Sequence, residues 1–535
     1  MVVNLGIMSY DIKCSLFGQN ETANENLCPS GMKNESSAGY PFVNKRKRIV
    51  ERTVEEKSAD FKSKRWIILL ITVMSTFMAT LDSSIVNVAL PGMAKSLNVT
   101  TGLIAWVVSA YLIVVSVCIL FFGKLGDLKG QARIFRLGLL IFTVGSFLCG
   151  VTHTLPLLIA ARAVQAVGAA GTMANSQGII TRTFPPEERG RALGINGAFV
   201  ALGTLVGPAL GSLIISFASW EYLFWVNVPI GILVYIANLK LFSKIQEDTS
   251  NEKLDILGAV LFTLAIAPLF IGLEYGQTIG YYNPLIIASL LVAVVAFISF
   301  LIVERKIKTP LLDLEIFKNK WFSISIFCAF TSFIAISCAN ILMPFYLQNA
   351  LALSAGMAGI FMTIYPLVLA LAAPISGYIS DKIGSEVLTL IGLLLTSGGM
   401  FLMSILNDHP SFFIMGLYIA IMSLGNGLFQ SPNNSLIMSM VPVNKLGVGG
   451  SVNALVRNIG MVVGIALSTS ILYSVMSAKI GYHVTGYVEG RNDAFISGMR
   501  FAYIAGAAIC LLGALITAIR LHGRKLKKQN ETASL

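Results

Sequence analysis

Fourteen long apolar runs, joined by short polar loops, occupy the sequence between residues 66 and 520. A membrane core about 30 Å thick takes roughly 20 apolar residues in helical form, and within lipid only helices and closed barrels satisfy their backbone hydrogen bonds. Runs of this length predict transmembrane helices. The predicted helices lie at residues 66–90, 103–123, 134–152, 156–180, 192–215, 222–243, 255–275, 284–303, 321–346, 355–379, 386–406, 411–437, 450–475 and 497–520.

The composition agrees with a membrane protein and argues against other classes. Only 12% of the 535 residues are charged, whereas a soluble domain has about 25%. The net charge of +12 is explained by basic loops and basic tails, so no nucleic-acid partner is expected. The spacing of the cysteines predicts neither a disulfide framework nor a metal site, and the sequence contains no recognisable catalytic motif of an enzyme.

Basic residues fall mainly in the loops that follow even-numbered runs. By the positive-inside rule, these loops and both termini are expected in the cytoplasm, in a multi-pass protein of the cell membrane. Lys95, Lys479 and Arg491 are exceptions, because they lie in loops after odd-numbered runs. The residues that support this orientation are Lys124, Lys129, Arg133, Arg182, Arg189, Arg191, Lys240, Lys244, Lys253, Arg305, Lys306, Lys308, Lys318, Lys320, Lys382 and Lys445.

One loop pattern occurs twice. The pattern G-x-x-x-D-x-x-G stands at Gly123–Gly130 after the second run and at Gly377–Gly384 after the tenth. Two repeats of six helices with one inserted pair fit this spacing, and parallel repeats of this kind are typical of secondary transporters. The predicted organisation is a disordered cytoplasmic tail at 1–64, a six-helix bundle at 65–245, an inserted two-helix segment at 246–308, a second six-helix bundle at 309–521 and a cytoplasmic tail at 522–535.

Asp82 lies inside the first apolar run, where a charge is unfavourable. An acid deep in a membrane helix costs roughly 2.5–3.5 kcal/mol on insertion scales, and such residues usually serve protons, ions or substrates. The sequence therefore predicts that Asp82 acts in proton coupling or substrate recognition. The alternative is a carboxylate that pairs with a neighbouring arginine for packing alone. Asn87, further along the same run, belongs to the same candidate site.

Two arginines also fall inside apolar runs. Arg162 and Gln165, in the fourth run, are three residues apart and share a helix face. Arg162 either pairs with an acid, carbonyl or water, or extends to the membrane surface from near the start of its helix. Arg457, in the thirteenth run, is a second buried cation for which packing and function are equal alternatives. Glu274, at the outer end of the seventh run, is expected to be solvated.

These motifs, taken in order, resemble those of the major facilitator superfamily and its fourteen-helix drug:proton antiporter branch. The string from Asp82 to Pro91 resembles the branch's first-helix motif, and Arg162-Ala-Val-Gln165 resembles its R-x-x-Q-G-x-G motif, with Ala166 in place of the first glycine. The resemblance implies an all-α membrane protein with the major facilitator fold of six, two and six helices. It also implies proton coupling or substrate recognition by Asp82 and a role for Arg162 in proton transfer.

Two further motifs carry expected roles in gating. The repeated loop resembles the superfamily's gating latch, although Leu128, Gln131 and Ala132 stand where basic residues are usual. The glycine-rich fifth run resembles the antiporter motif, in which Gly-Pro provides a hinge or seal. The residues expected in gating are Gly123, Asp127, Gly130, Arg133, Gly377, Asp381 and Gly384, and those expected in the antiporter motif are Gly203, Gly207, Pro208 and Gly211.

The resemblance implies proton-coupled export of drugs or other small amphiphilic molecules by alternating access between two halves. The expected partners are protons, a small-molecule substrate and the lipid bilayer. No cofactor, metal ion or nucleic acid is expected, and a monomer suffices for this architecture. A dedicated exporter of a specific metabolite or siderophore on the same fold is the nearest alternative, and a facilitator without proton coupling is the second.

Overall fold

The chain divides into two units, Met1–Ser63 and Lys64–Leu535. In the first unit the described residues, 41–63, are helical, whereas the sequence predicts a disordered tail over 1–64. This stretch contains no glycine or proline after Pro41 and is rich in lysine, arginine and glutamate, which favour helix. The rest of that tail, 1–40, lies outside the described residues. The residues that the computed structural model describes are 41–99, 101–242, 250, 252–484 and 486–533.

Among the described residues, fourteen helices are long and apolar enough to cross a membrane, and each coincides with one of the predicted runs. The prediction of an all-α membrane protein is confirmed, and the described residues contain no strand. The helices are α1 (Pro41–Ser96), α2 (Trp106–Lys129), α3 (Gln131–Gly150), α4 (Leu155–Thr183), α5 (Arg189–Phe217), α6 (Asn227–Phe242), α7 (Ile256–Ile279), α8 (Pro284–Glu304), α9 (Lys320–Phe345), α10 (Ala355–Ile383), α11 (Ser385–Ser404), α12 (Phe412–Ser439), α13 (Leu446–Ile480) and α14 (Asn492–Ala533).

The helix packing repeats between two halves of the second unit. In the N-terminal half α4 packs against α2 and α3, and in the C-terminal half α12 packs against α10 and α11. The halves meet mainly through two helix pairs, α5 with α10 and α2 with α13. The inserted helices α7 and α8 pack against each other, and α7 also contacts one helix from each half, α2 and α13. The domain boundaries given above remain predictions.

Two side-chain contacts hold the inserted helix α7 against α2. The indole Nε1 of Trp106 donates a hydrogen bond to the hydroxyl of Tyr275 at 2.6 Å. The hydroxyl of Ser109 donates to the carboxylate of Glu274. Glu274, which was expected to be solvated, is therefore only partly exposed and takes a hydrogen bond from a serine of the neighbouring helix.

The glycines of the predicted antiporter motif bring α5 into close contact with α1. A Cβ atom added at Gly203 would lie 2.1 Å from Oγ1 of Thr80, and one added at Gly207 would lie 1.8 Å from Oγ of Ser84. Gly211 is also buried against α1. Because any side chain at the first two positions would clash, the motif fixes α5 against the helix that carries Asp82.

Pro208 lies inside α5, which is assigned as one helix from Arg189 to Phe217. Proline has no N–H, so the carbonyl of Thr204 receives no hydrogen bond from this position. A helix is more easily bent where such a bond is missing. The hinge role of the Gly207-Pro208 step stays a prediction.

Candidate functional site

A buried ion pair joins α1 to α4. Nη1 of Arg162 donates to Oδ2 of Asp82 at 2.5 Å, and both side chains are completely buried. The other carboxylate oxygen, Oδ1, accepts from Nε2 of Gln165 at 2.8 Å and from Nδ2 of Asn227 at 2.9 Å. Three donors therefore face the carboxylate, an arrangement that suits a charged acceptor. We call Asp82, Arg162, Gln165 and Asn227 the polar cluster.

The guanidinium of Arg162 is enclosed by the protein and does not extend to the membrane surface. Its Nε donates to the carbonyl of Val107 at 3.2 Å, and Nη1 also reaches Oε1 of Gln165 at 2.6 Å. The guanidinium carbon lies 4.2 Å from the ring centre of Tyr111 and 5.6 Å from that of Phe224. Nη2 has no hydrogen-bond partner among the described residues. The cation is thus stabilised chiefly by Asp82 and by aromatic faces.

The polar cluster links the charge of one side chain to the packing of several helices. Protonation of Asp82 would remove the negative partner of Arg162 and leave a buried cation without compensation. Breaking a buried pair in this way costs about 3–5 kcal/mol. If Asp82 took up a proton, a different arrangement of α1, α4 and α6 would therefore be favoured.

The structure brings three members of the predicted site together and leaves out one, and their functional roles stay predictions. Asp82, Arg162 and Gln165 are brought together, whereas Asn87 is exposed and has no hydrogen bond to the polar cluster. Asn227 was not predicted as a site residue. The sequence indicated it only as an asparagine in the apolar segment at the start of α6. In the structure the Asn227 side chain is only 1% exposed. Ser146, which accepts from Gln165 Nε2 at 2.8 Å, was also not predicted.

Each of the two repeated loops places its aspartate at the start of a helix in the opposite half. Asp127 accepts from the backbone N–H groups of Gly447 and Val448 in the first turn of α13, at 2.6 and 2.8 Å. Asp381 accepts from the N–H groups at the start of α5, those of Gly190 and Arg191, both at 2.8 Å. A carboxylate at a helix N-terminus satisfies orphan donors and the positive end of the helix dipole. We call these two contacts the latches, and the end of the bundle that holds them the latch end.

Glycines permit both latches to close. A Cβ atom at Gly123 would lie 2.5 Å from the carbonyl oxygen of Gly447, and one at Gly377 would lie 2.1 Å from that of Gly190. Each loop then turns sharply through its last glycine, at φ of 101° for residue 130 and 93° for residue 384, in the left-handed region that favours glycine. The halves are therefore in direct backbone contact at the latch end.

Arg133, which the sequence places among the gating residues, is exposed, and the structure shows no contact between it and the latch. The side chain that assists Asp127 is instead Gln131, whose Nε2 donates to the carboxylate at 2.9 Å. Gln131 is one of the positions at which the superfamily usually has a basic residue. The charge of Asp127 is thus balanced by helix-end N–H groups and an amide, which the loop pattern alone does not reveal.

An apolar cavity lies in the C-terminal half between α9, α10, α11 and α12. Its enclosed volume is only about 30 Å³, room for about one water molecule, and it is partly open to solvent. Flexible methionine side chains adapt to irregular ligands and make favourable contacts with aromatic rings. The residues that give the cavity this character are Met343, Phe361, Met362, Tyr365, Met403 and Met422. We call it the methionine cavity.

The methionine cavity occupies the position in the C-terminal half that is equivalent, by the internal repeat, to the position of the polar cluster in the N-terminal half. Tyr365 precedes the latch residue Asp381 by the same number of residues as Tyr111 precedes Asp127. Ser84 packs on Gly207 as Ser337 packs on Gly464, and the residues two positions before these serines are Asp82 and Ala335. The repeat therefore keeps the tyrosine and replaces the acid by alanine.

The fourth helix of each half shows the same replacement. Gly145 abuts Gln165 in the N-terminal half, and Gly399 abuts Met422 in the C-terminal half. The residue three positions earlier is Arg162 in one half and isoleucine in the other. Positions that carry charge and amide groups in the N-terminal half thus carry apolar groups in the C-terminal half, so the two halves offer different chemistry at equivalent places.

The fold and these sites define a class of protein: a multi-pass membrane transporter with two similar halves, one of which buries an ion pair. The family model of the Major Facilitator Superfamily matches residues 72–464 and 325–534, and the chain belongs to this superfamily. It is therefore a transporter that acts on small molecules in a membrane, and it is not an enzyme.

The relatives include transporters with different substrates in their names. The riboflavin transporter RibZ of Clostridioides difficile (strain 630) is 35% identical over 456 residues, which are 85% of this chain and 97% of RibZ. The multidrug resistance protein Stp of Mycobacterium tuberculosis (strain ATCC 25618 / H37Rv) is 31% identical over 420 residues, or 78% and 77% of the two chains. The solved structure of the proton:xylose symporter XylE superposes with a TM-score of 0.60 at 14% identity, over 85% of this chain and 95% of XylE. That likeness shows the fold alone.

Proposed function

We propose that the protein exports small amphiphilic molecules in exchange for protons, by alternating access across the cell membrane. The observation that carries this proposal is the carboxylate of Asp82, which is completely buried in a membrane-spanning helix and paired with Arg162. A carboxylate of this kind, held by three donors, changes its partners when it takes up a proton. Neutral packing alone does not require the charge, because apolar residues fill such a space at lower cost.

The orientation in the membrane follows from the loop charges. Basic residues lie at the latch end, and the positive-inside rule therefore assigns this end and both termini to the cytoplasm. Both latches are formed, so the described conformation is closed on the cytoplasmic side. Export requires that this end opens to admit substrate, and the latches are the contacts that must break. A monomer contains all the groups that this cycle uses.

The substrate class is supported by the methionine cavity and by the relatives. The walls of this small cavity are aromatic rings and methionine side chains, which can rearrange to admit a flat hydrophobic group. Among the relatives, Stp is named for multidrug resistance and RibZ for riboflavin transport. Drug-like amphiphiles are therefore the first candidates, and a dedicated exporter of one flat heteroaromatic metabolite is the second, favoured by the 35% identity to RibZ.

Transport by the full-length protein in liposomes under an imposed pH gradient tests the proposal. A panel of fluorescent amphiphiles and riboflavin would be compared in wild type, Asp82→Asn and Asn87→Ala. We expect gradient-driven movement of at least one dye in wild type and in Asn87→Ala, because residue 87 is outside the polar cluster. We expect the gradient dependence to disappear in Asp82→Asn. Wild-type transport that is indifferent to the gradient would exclude proton coupling, and transport of riboflavin alone would favour the dedicated exporter.

A further inference from the structure

Arg457 is a cation inside α13 that the polar cluster does not use. It lies about 17 Å along the helix from Leu446 at the latch end, near the middle of a membrane core of about 30 Å. Within the part of the chain that the structure describes, Arg457 has neither a hydrogen bond nor an ion pair, and its side chain is partly exposed. It is close enough to the phenol of Tyr111, on α2, for an electrostatic interaction.

The position of Arg457 is fixed at the junction of the two halves. The neighbouring residue, Asn458, is buried and donates from Nδ2 to the hydroxyl of Ser116 on α2 at 3.2 Å. The ring of Tyr111 that Arg457 approaches is the same ring that stacks with Arg162 of the polar cluster. Arg457 thus lies where α13 of the C-terminal half packs against α2 of the N-terminal half.

The charges in this region do not balance. Asp82 already pairs with Arg162, and among the described residues no carboxylate forms an ion pair with Arg457. Tyr111 faces both arginines and Cys149 faces Arg162 alone, and neither a phenol nor a thiol ordinarily carries a charge at neutral pH. The other carboxylates of the described membrane helices are engaged elsewhere, at the latches, at the inserted pair or near helix ends. The centre therefore carries one excess positive charge when Asp82 is ionised and two when it is protonated.

We infer that Arg457 binds an anionic group of the transported molecule, and that the substrate class is amphiphilic carboxylates, sulfonates or phosphates. A guanidinium presents paired N–H donors that match the oxygens of such groups. An unpartnered cation at this depth is unfavourable until an anion arrives, so the excess charge itself selects against cationic substrates. The inference rests on the proposed function and adds the sign of the substrate's charge.

Two xanthene dyes of opposite charge provide the test. Carboxyfluorescein is anionic and rhodamine 123 is cationic, while their ring systems are similar, so apolar contacts are matched. Initial rates would be measured in proteoliposomes for wild type, Arg457→Gln and Arg457→Lys. Arg305→Gln serves as a matched control, because Arg305 is an exposed arginine outside the junction. Riboflavin serves as the uncharged probe.

We expect wild type to move carboxyfluorescein in preference to rhodamine 123. In Arg457→Gln the initial rate of carboxyfluorescein transport at low concentration should fall about 10- to 100-fold, as expected for the loss of one charge-assisted hydrogen-bonded pair. Any transport of riboflavin should change little. Arg457→Lys should retain part of the activity because it keeps the charge, and Arg305→Gln should resemble wild type. Gradient-driven transport of rhodamine 123 in preference to carboxyfluorescein, unchanged in Arg457→Gln, would overturn the inference and leave the proposed function intact.

Equilibrium binding in detergent separates failure of this inference from failure of the proposed function. If no dye moves with the gradient, binding of carboxyfluorescein to wild type and Arg457→Gln is compared by fluorescence anisotropy. Tighter binding by wild type, lost in the glutamine variant and partly kept in the lysine variant, supports the anion site. Equal binding by all three variants, or preferred binding of rhodamine 123, contradicts it. Thermal unfolding of each variant checks that the fold is retained.

Discussion

The ion pair of the polar cluster makes a quantitative prediction for a double-mutant cycle. Arg162→Gln leaves the Asp82 carboxylate buried with two amide donors, from Gln165 and Asn227. Asp82→Asn leaves the guanidinium with a carbonyl, an amide oxygen and two aromatic faces. Since both side chains are completely buried, each single change should lower the free energy of unfolding by about 3–5 kcal/mol.

The double variant Asp82→Asn/Arg162→Gln should be less destabilised than the sum of the single variants. It contains no uncompensated charge, and the two amides retain hydrogen-bonding capacity toward each other. We expect it to lose only about 1–2 kcal/mol, the value of one or two ordinary hydrogen bonds. The coupling energy of the cycle should therefore be at least about 4 kcal/mol, above the range of about 0.5–3 kcal/mol that is usual for residues in contact.

Unfolding in mixed micelles by a denaturing detergent, followed by circular dichroism, measures the four free energies. The matched control is the cycle of Asn87→Ala with Arg162→Gln, which uses a residue of the same helix outside the polar cluster. That cycle should be additive. A coupling energy near zero between Asp82 and Arg162 would refute the reasoning, because it would mean that the two charges do not compensate each other in the folded protein.

Two further predictions concern the latch end. Asp127→Asn and Asp381→Asn should each slow transport several-fold, because loss of a carboxylate at a helix N-terminus costs about 0.3–2 kcal/mol. The KM should change little, because both latches lie far from the polar cluster. Initial rates over a range of substrate concentrations measure both parameters, and a changed KM at constant kcat would contradict the prediction. Asp313 is partly buried, which raises its pKa, but the hydrogen bond and charge of Lys445 outweigh this and hold the pKa of Asp313 below the ordinary value of 3.8. The pair therefore stabilises the fold at neutral pH, and this stabilisation is lost as the pH falls through the lowered pKa. The difference in Tm between wild type and Asp313→Asn should be present at pH 7 and should shrink as the pH falls below 3.8. A difference that stays constant as the pH falls would exclude the ion pair as its cause.

The number of helices and the loop repeats could be predicted from the sequence because they depend on local patterns. Apolar length specifies a membrane helix, and an aspartate between fixed glycines specifies a turn at a helix end. Asp82 could be predicted as a functional residue because an acid inside a membrane helix is costly and usually has a function. Arg162 and Gln165 followed from helical spacing, since residues three apart share a face.

Other parts of the site depend on contacts between helices that lie far apart in the sequence. Asn227 reaches Asp82 across 145 residues, and no local pattern indicates that its amide faces this carboxylate. Asn87 shows the reverse case, because its place in the first-helix motif suggested a site residue, whereas the helix turns its side chain to an exposed position. The partner of Asp127 was also uncertain from sequence, since backbone N–H groups of α13 are present in every sequence and carry no residue-type signal.

The two halves have kept one architecture while their chemistry has diverged. The tyrosines Tyr111 and Tyr365 hold equivalent places, but one stands beside a guanidinium and the other lines the methionine cavity. A proton site needs a charge whose partners change on protonation, and a site for varied flat molecules needs soft apolar walls that rearrange. These requirements conflict within one pocket, because a buried charge penalises apolar contacts and adaptable walls expose the charge to water. Under the function proposed above, placing them at equivalent positions of opposite halves removes the conflict, and the substrate anion that we infer for Arg457 would bind at the junction between the halves.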